Sequence, residues 1–226
     1  MFDTLSSYIT LEELTLALAE TLNNKAAGPS KLTYECWRKA DAKVHTTLLE
    51  IFNRILDEEE MPPAWKRANI ILIPKPKNWN KNIDVTRPIT LIETARKIFT
   101  KVMTNRMEKI CHTHNILRGN NYSVLKGTST HGPVTILSQI CEDAKSSSNN
   151  EAWIILQDMK KAYDSVRWQG LSKALTRIKM NSTYINILKN LHQTRRSSII
   201  TAHGLTDAYT VQDGLDQGET HAPILW

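Results

Sequence analysis

Apolar residues in the first 58 positions recur at helical spacing. The pattern then breaks at Ala68–Ile73 into a short run rich in isoleucine, which Pro74 stops. A run of that length and kind predicts a buried strand flanked by helices. Thr10 and Glu13 make a capping box for a first helix whose apolar positions are Leu11, Leu14, Leu18 and Leu22. Gly28-Pro29 breaks the chain before a short helix over Tyr34–Lys39. Another helix runs from Val44 to Glu58, with Leu48, Ile51, Phe52 and Ile55 as its buried stripe.

After Pro74 the stretch from Lys75 to Arg87 is polar, basic and broken by proline, which predicts a loop or mobile hairpin. A long helix follows over Ile92–Ile110, with Ile98, Val102 and Ile110 on one side and Arg96, Lys97, Lys101, Arg106 and Lys109 elsewhere. Gly119–Thr130 predicts a loop, Val134–Ala144 a helix and Ser146–Asn150 a turn. Trp153–Leu156 predicts a strand ending at Gln157-Asp158. Helices over Gln169–Ile178 and Tyr184–His192 precede a strand pair, Ser197–Thr201 and Tyr209–Val211, joined near Gly204. Helices first, with strands and helices interleaved later, favour an α+β or mixed α/β protein with a small sheet.

The 226 residues are enough to bury a real core, and a net charge of +6 mildly favours polyanionic partners. Met1–Thr10 has neither a basic start nor a long apolar run, and no stretch reaches the roughly 18 apolar residues of a membrane span. An intracellular protein of nucleus or cytoplasm is expected. Cys36, Cys111 and Cys141 are too far apart to suggest a disulfide framework. Cys111, His112 and His114 lie close together, but their spacing fits no four-ligand zinc pattern.

Three segments bring chemistry together. The apolar run before Asp158 would hold a carboxylate at a strand end, where it can ligate a divalent cation, although Asp is also a favoured helix cap. Gly214-Leu215-Asp216-Gln217-Gly218-Glu219 has two glycines that allow close backbone approach, and a glutamine that can bond a base or sugar. The basic loop carrying Lys75, Lys77, Lys81 and Arg87, with Trp79 inside it, suits phosphate contacts and base stacking, or simple solvation.

Taken in order, several motifs resemble those of reverse transcriptases of non-LTR (LINE-type) retrotransposons. Asn24–Thr33 is similar to the family's K-x-P-G-P-D-G-I/L segment, with Ala27 and Ser30 in place of its usual Pro and Asp. Trp65–Lys75 resembles W-x-x-A-x-I/V-x-x-I/L-P-K. Arg87–Leu91, followed by Lys97-Ile98 and Arg106, resembles the fingers segment, with Thr86 where an aromatic is common. Lys126–Thr130 fits the signature before the palm. Asp158–Val166 is similar to D-x-x-K-A-F/Y-D-x-V, the first catalytic block. Gly214–Pro223 resembles the second, G-x-x-Q-G-x-x-x-S-P, with His221 and Ala222 departing from it. No aromatic-x-Asp-Asp string, the family's third block, occurs in these 226 residues.

The resemblance implies an α+β right-hand polymerase, mostly helical with a small antiparallel sheet: fingers over residues 1–150, and an incomplete palm over 151–226. Its activity would be template-directed transfer of deoxynucleotides to a primer 3′-hydroxyl, using two Mg²⁺, an RNA template, a DNA primer and deoxynucleoside triphosphates. It assigns Asp158, with the Met159 carbonyl, to metal. Tyr163 becomes the steric gate beneath the incoming sugar, and Asp164 a structural residue. Gln217 and Gly218 would lie along the templating pair, Lys75 at nucleotide phosphate, and Arg87, Lys77 and Lys81 on nucleic acid. Without a third block this chain is expected to be inactive alone, with apolar surface exposed where palm strands are missing. A non-catalytic RNA-binding remnant, a maturase-like splicing cofactor and a helical adaptor are the alternatives.

Overall fold

A computed structural model describes residues 2–76, 80–117, 122, 127, 129–146 and 151–226. Lys77, Trp79, Lys126 and much of the segment around Gly119–Thr130 therefore lie outside the described residues, as does most of the turn expected at Ser146–Asn150.

The first helices follow their sequence signals. α1 (Leu11–Ala19) starts at the Thr10–Glu13 capping box, in which the Thr10 side chain accepts from the Glu13 N–H and the Glu13 carboxylate accepts from the Thr10 N–H. Leu14 and Leu18 are buried, but Leu11 and Leu22 are exposed; Ala17 completes the inner face instead. α2 (Tyr34–Arg38) is short, and α3 (Ala42–Glu58) is capped by Asp41. Leu48, Phe52 and Ile55 of α3 point into the core as their spacing predicts. Phe52 meets Trp65 and Phe99 edge-to-face, with ring centroids 6.0 and 5.3 Å apart.

α4 (Thr94–Thr113) is the central helix. It is buried on most of its circumference, including Arg96 and Arg106, two residues expected off the apolar side. Both are buried because both are paired. Arg106 reaches the Glu13 carboxylate through Nε and Nη2 at 2.6 and 2.7 Å, and its amines also donate to the carbonyls of Thr4, Ser7 and Tyr8. One guanidinium thereby ties the N-terminal segment to the central helix.

β1 (Arg67–Pro74) matches the strand expected from its isoleucine run. Its antiparallel partner β2 (Thr86–Ile92) includes Arg87, which the sequence placed at the end of a loop. Two further helices, α6 (Trp168–Arg177) and α7 (Ser182–His192), lead into β3 (Arg195–Thr201), which pairs parallel to β1. β4 (Gly204–Leu205) and β5 (Tyr209–Val211) add antiparallel pairs on β3. The sheet is therefore mixed, not purely antiparallel. Joining β1 to β3 brings together segments far apart in sequence, and such a long crossover can be parallel. The chain ends in a short helix, α8 (Ala222–Leu225).

The expected strand at Trp153–Leu156 is absent. Trp153, Ile155 and Leu156 stand about nine-tenths exposed, no strand among the described residues pairs with them, and turns follow from Lys160. An isolated extended segment cannot satisfy its backbone groups within a sheet, so local β propensity alone does not make it one. Asp158 caps no helix either. α5 (His131–Ser146) is also formed without burying a side chain, and leaves Val134, Ile136, Leu137 and Ile140 exposed. No helix among the described residues is long and apolar enough to cross a membrane.

Candidate nucleic-acid interface

The second block lies at the centre of the arrangement. The Gly214 N–H donates to the Val166 carbonyl and the Leu215 N–H to the Tyr163 carbonyl, both at 2.9 Å. These bonds lay the turn that follows Asp158 directly on the second block. Gly214 has φ of +91°, and a Cβ there would come within 3.1 Å of Asp164 Cα. Only glycine accommodates both the conformation and the approach.

Three residues on, the same segment grips β2. The Thr90 N–H donates to the Gln217 carbonyl at 3.0 Å. Gly218 has φ of +117°, and a Cβ there would sit 2.9 Å from the Thr90 carbonyl oxygen. Gln217 and Gly218 are thus brought against Thr90 of the Arg87–Leu91 segment, and the first and second blocks are brought together through Tyr163 and Gly214.

A buried ion cluster supports this docking. Asp216 pairs with Arg96 at 2.9 Å and with Arg195 at 2.5 Å, while Glu219 pairs with Arg96 at 2.6 Å and accepts from Thr100 Oγ1 at 2.7 Å. Arg195 also donates to the carbonyls of His192 at 3.0 Å and Gly214 at 2.7 Å. Burial alone would raise the Asp216 carboxyl, but Arg96 and Arg195 overcome it and hold it down to about 2. Helix α4, strand β3 and the second block meet in these four side chains. The sequence showed Asp216 inside its motif but gave no signal for its partners. Arg96 and Arg195 looked like ordinary basic residues, and only their tertiary contacts distinguish them.

Two departures from the family pattern acquire a physical role. Ser30 donates from its N–H to a Glu93 carboxylate oxygen at 2.8 Å and from its hydroxyl to the other at 2.5 Å; the family's Asp would set a second carboxylate there. His221 is fully buried, 5.7 Å from the His192 ring, and neither of its nitrogens has a hydrogen-bond partner among the described residues. Burial pushes His192 down to about 3 and His221 to about 4.

Both histidines therefore fold neutral. Below about pH 6.5 the unfolded chain takes up protons that the folded chain refuses until much lower pH, so stability drops through that interval. Urea unfolding is expected to lose ~1–3 kcal/mol per pH unit between pH 6 and pH 5. The Asp216 contribution is present above the unfolded carboxylate range and disappears only as the pH falls from about 4 towards 2. Equal stability at pH 7 and pH 5 would mean that these rings reach solvent.

The basic residues cluster at the loop end of the β1–β2 hairpin. In that register Pro74 faces Thr86 and Ile73 faces Arg87, and the Lys75 N–H donates to the Val85 carbonyl at 3.0 Å. Lys75, Lys81 and Arg87 are all exposed there. Lys77, assigned to the same group, lies outside the described residues. Tyr163 is half-buried, with its ring 6.5 Å from that of Trp226. Asp158 and Met159 are exposed in a segment without regular secondary structure, so the rigid strand end expected for Asp158 is not formed. Among the described residues no group of three His, Cys, Asp or Glu side chains is gathered as a metal ion requires. Asp158 and the Met159 carbonyl do not by themselves fit a two-ion site.

A family model described as reverse transcriptase (RNA-dependent DNA polymerase) matches residues 73–226, well over half of the sequence. The chain belongs to the reverse transcriptase family. It is 24% identical over 220 residues to a probable RNA-directed DNA polymerase from transposon BS of Drosophila melanogaster, covering 96% of this chain and 24% of that protein. It is 26% identical over 227 residues to the RNA-directed DNA polymerase from mobile element jockey of the same fly, covering 97% and 24%. A Pol polyprotein from the type-1 retrotransposable element R2 of Nasonia vitripennis is 22% identical over 207 residues, 92% of this chain and 19% of its own length. The non-LTR resemblance is borne out by these relatives, and the reverse transcriptase chain spans about a quarter of their length or less.

Proposed function

We propose that this chain is the nucleic-acid-gripping part of an RNA-directed DNA polymerase, with fingers over residues 1–150 and part of a palm over 151–226. The full enzyme would add deoxynucleotides to a DNA primer 3′-hydroxyl as an RNA template directs. The observation that carries this reading is the docking of Gly214–Gly218 on both the turn after Asp158 and strand β2. It assembles the two blocks and the fingers strand into one surface, where Gln217 and Gly218 can follow a templating pair while Lys75, Lys81 and Arg87 hold phosphates.

Reverse transcriptases generally work with divalent cations; Mg²⁺ is the reading here, with Asp158 as its ligand from this chain. Such ions, with Asp158 among their ligands, would supply activation of the primer hydroxyl and charge neutralisation of the triphosphate. The residues of this chain bind and orient the strands, and Tyr163 limits the space beneath the sugar.

The test is binding of an RNA–DNA hybrid as salt is varied. Lys75→Ala with Arg87→Ala is expected to weaken affinity about tenfold and to make the salt slope shallower by about one to two. An unchanged slope would remove the fingers assignment. That no group of three metal-ligating side chains gathers among the described residues favours a second reading, an RNA-binding remnant without chemistry. Nucleotide incorporation by the 226-residue chain on a primed RNA template would eliminate that reading.

A further inference from the structure

A cavity of about 420 Å³ lies among the helices, bounded by α2, α3 and the start of α4. None of the described residues assigned to metal, nucleotide or nucleic acid lines it. Its walls are Leu32, Trp37, Val44, Leu48, Ile51 and Trp65. Val44, Leu48 and Ile51 follow one another at helical spacing on α3, so the apolar stripe that enters the core at Ile55 also runs outward into this space. At the mouth Leu32 and Val44 stand 43% and 39% exposed.

The walls are fixed by tertiary hydrogen bonds. The Trp37 indole N–H donates to Thr94 Oγ1 at 2.7 Å, and that hydroxyl donates to the Leu32 carbonyl at 2.8 Å. Ser30 holds both carboxylate oxygens of Glu93, and a Cβ on Gly28 would lie 2.5 Å from the Glu93 nitrogen. The segment before α2 is thereby pinned to α4. A preformed wall spares an incoming group the cost of ordering it.

Charge around the mouth is one-sided. Glu93 is the one carboxylate among the described lining residues, and Ser30 already occupies it. Lys43 lines the mouth, while Lys31 and Lys39 stand exposed beside Leu32 and close to Trp37 in the chain. None of these three lysines is in an ion pair among the described residues.

We infer that this cavity docks an acidic segment of a protein partner, with one aromatic side chain against Trp37 and Trp65 and its flanking carboxylates on Lys43, Lys31 and Lys39. The inference goes beyond the polymerase reading and does not depend on it. A volume near the lower end of the ~300–1,000 Å³ of ligand pockets suits one large side chain. Two indoles in the wall favour an aromatic anchor, and the lysine rim favours carboxylates around it. A phosphate of a nucleic acid entering the same space would meet the Glu93 carboxylate instead.

The test uses the full chain and a fluorescein-labelled twelve-residue peptide with one tryptophan flanked by glutamates, followed by fluorescence anisotropy. Saturable binding with Kd on the order of 100 µM is expected, weakened by salt. Replacing the peptide's tryptophan by alanine should weaken it at least about tenfold. Ala64→Phe, which fills the cavity from an exposed position, should cost about tenfold, and Lys43→Glu about fivefold. If Ala64→Phe lowers the melting temperature, Thr47→Tyr at the exposed mouth decides by the same readout. Absence of saturable binding, equal binding of the alanine peptide, or unchanged affinity in the cavity-filling variant would overturn the inference. So would displacement of the peptide by an RNA oligomer, which would assign the cavity to nucleic acid. The hairpin is unaltered in these variants, so failure here leaves hybrid binding by Lys75 and Arg87 to its own experiment.

Discussion

Arg195→Met is expected to destabilise the folded chain by ~3–5 kcal/mol, the usual cost of removing one partner from a buried charge pair. The Arg195 side chain is 3% exposed and that of Asp216 9%, so water cannot take the place of the lost guanidinium. Three carbonyls, those of His192, Asp213 and Gly214, would lose a donor in the same step. Asp216 would keep Arg96, which it shares with Glu219. Urea unfolding of the parent, Arg195→Met, Asp216→Asn and the double variant measures this. The double variant should recover part of the loss, since no carboxylate is then left half-paired. A single-variant loss under about 1 kcal/mol would mean that the cluster is effectively solvated. The same substitution should loosen the second block, because Asp216 immediately precedes the Gln217 carbonyl that holds Thr90.

The largest functional effect is expected at Asp158. In a form of the chain extended through an aromatic-x-Asp-Asp segment, Asp158→Asn should abolish primer extension on RNA, a loss of at least about a thousandfold. The amide keeps the shape of the carboxylate and removes the charge that a divalent cation needs. Asp164→Asn should be much milder. Asp164 is exposed, and what the second block touches is its backbone, not its carboxylate. Tyr163→Ala should leave some extension and admit ribonucleotides, because its carbonyl still bonds Leu215 while the ring is gone. Incorporation of deoxy- and ribonucleotides on a primed RNA template separates the three variants. Full activity in Asp158→Asn would sink its assignment.

The way these residues meet shows where sequence reasoning reached. The capping box at Thr10–Glu13, the buried stripe of α3 and strand β1 were legible because each depends on neighbours within a few residues. The two blocks were legible for a different reason: their glycines and acidic residues stand at family spacings, and Gly214 and Gly218 prove to be left-handed positions where a side chain would crowd neighbouring backbone. The segment before Asp158 misled, since Trp153–Leu156 has strand composition but no strand beside it to pair with. β2 was hidden by the polar, proline-containing stretch around Arg87, and its partner is set by the hairpin with β1. The sequence by itself determined the family, the local helices and the residues able to do chemistry. Tertiary structure alone decided that Arg96, Arg195, Asp216 and Glu219 share one buried site, and that Val44 lines a cavity with Trp37 and Trp65. Burial and long-range pairing arise between residues far apart in the chain, 120 positions in the Arg96–Asp216 bond, and such distances leave no periodicity in the sequence.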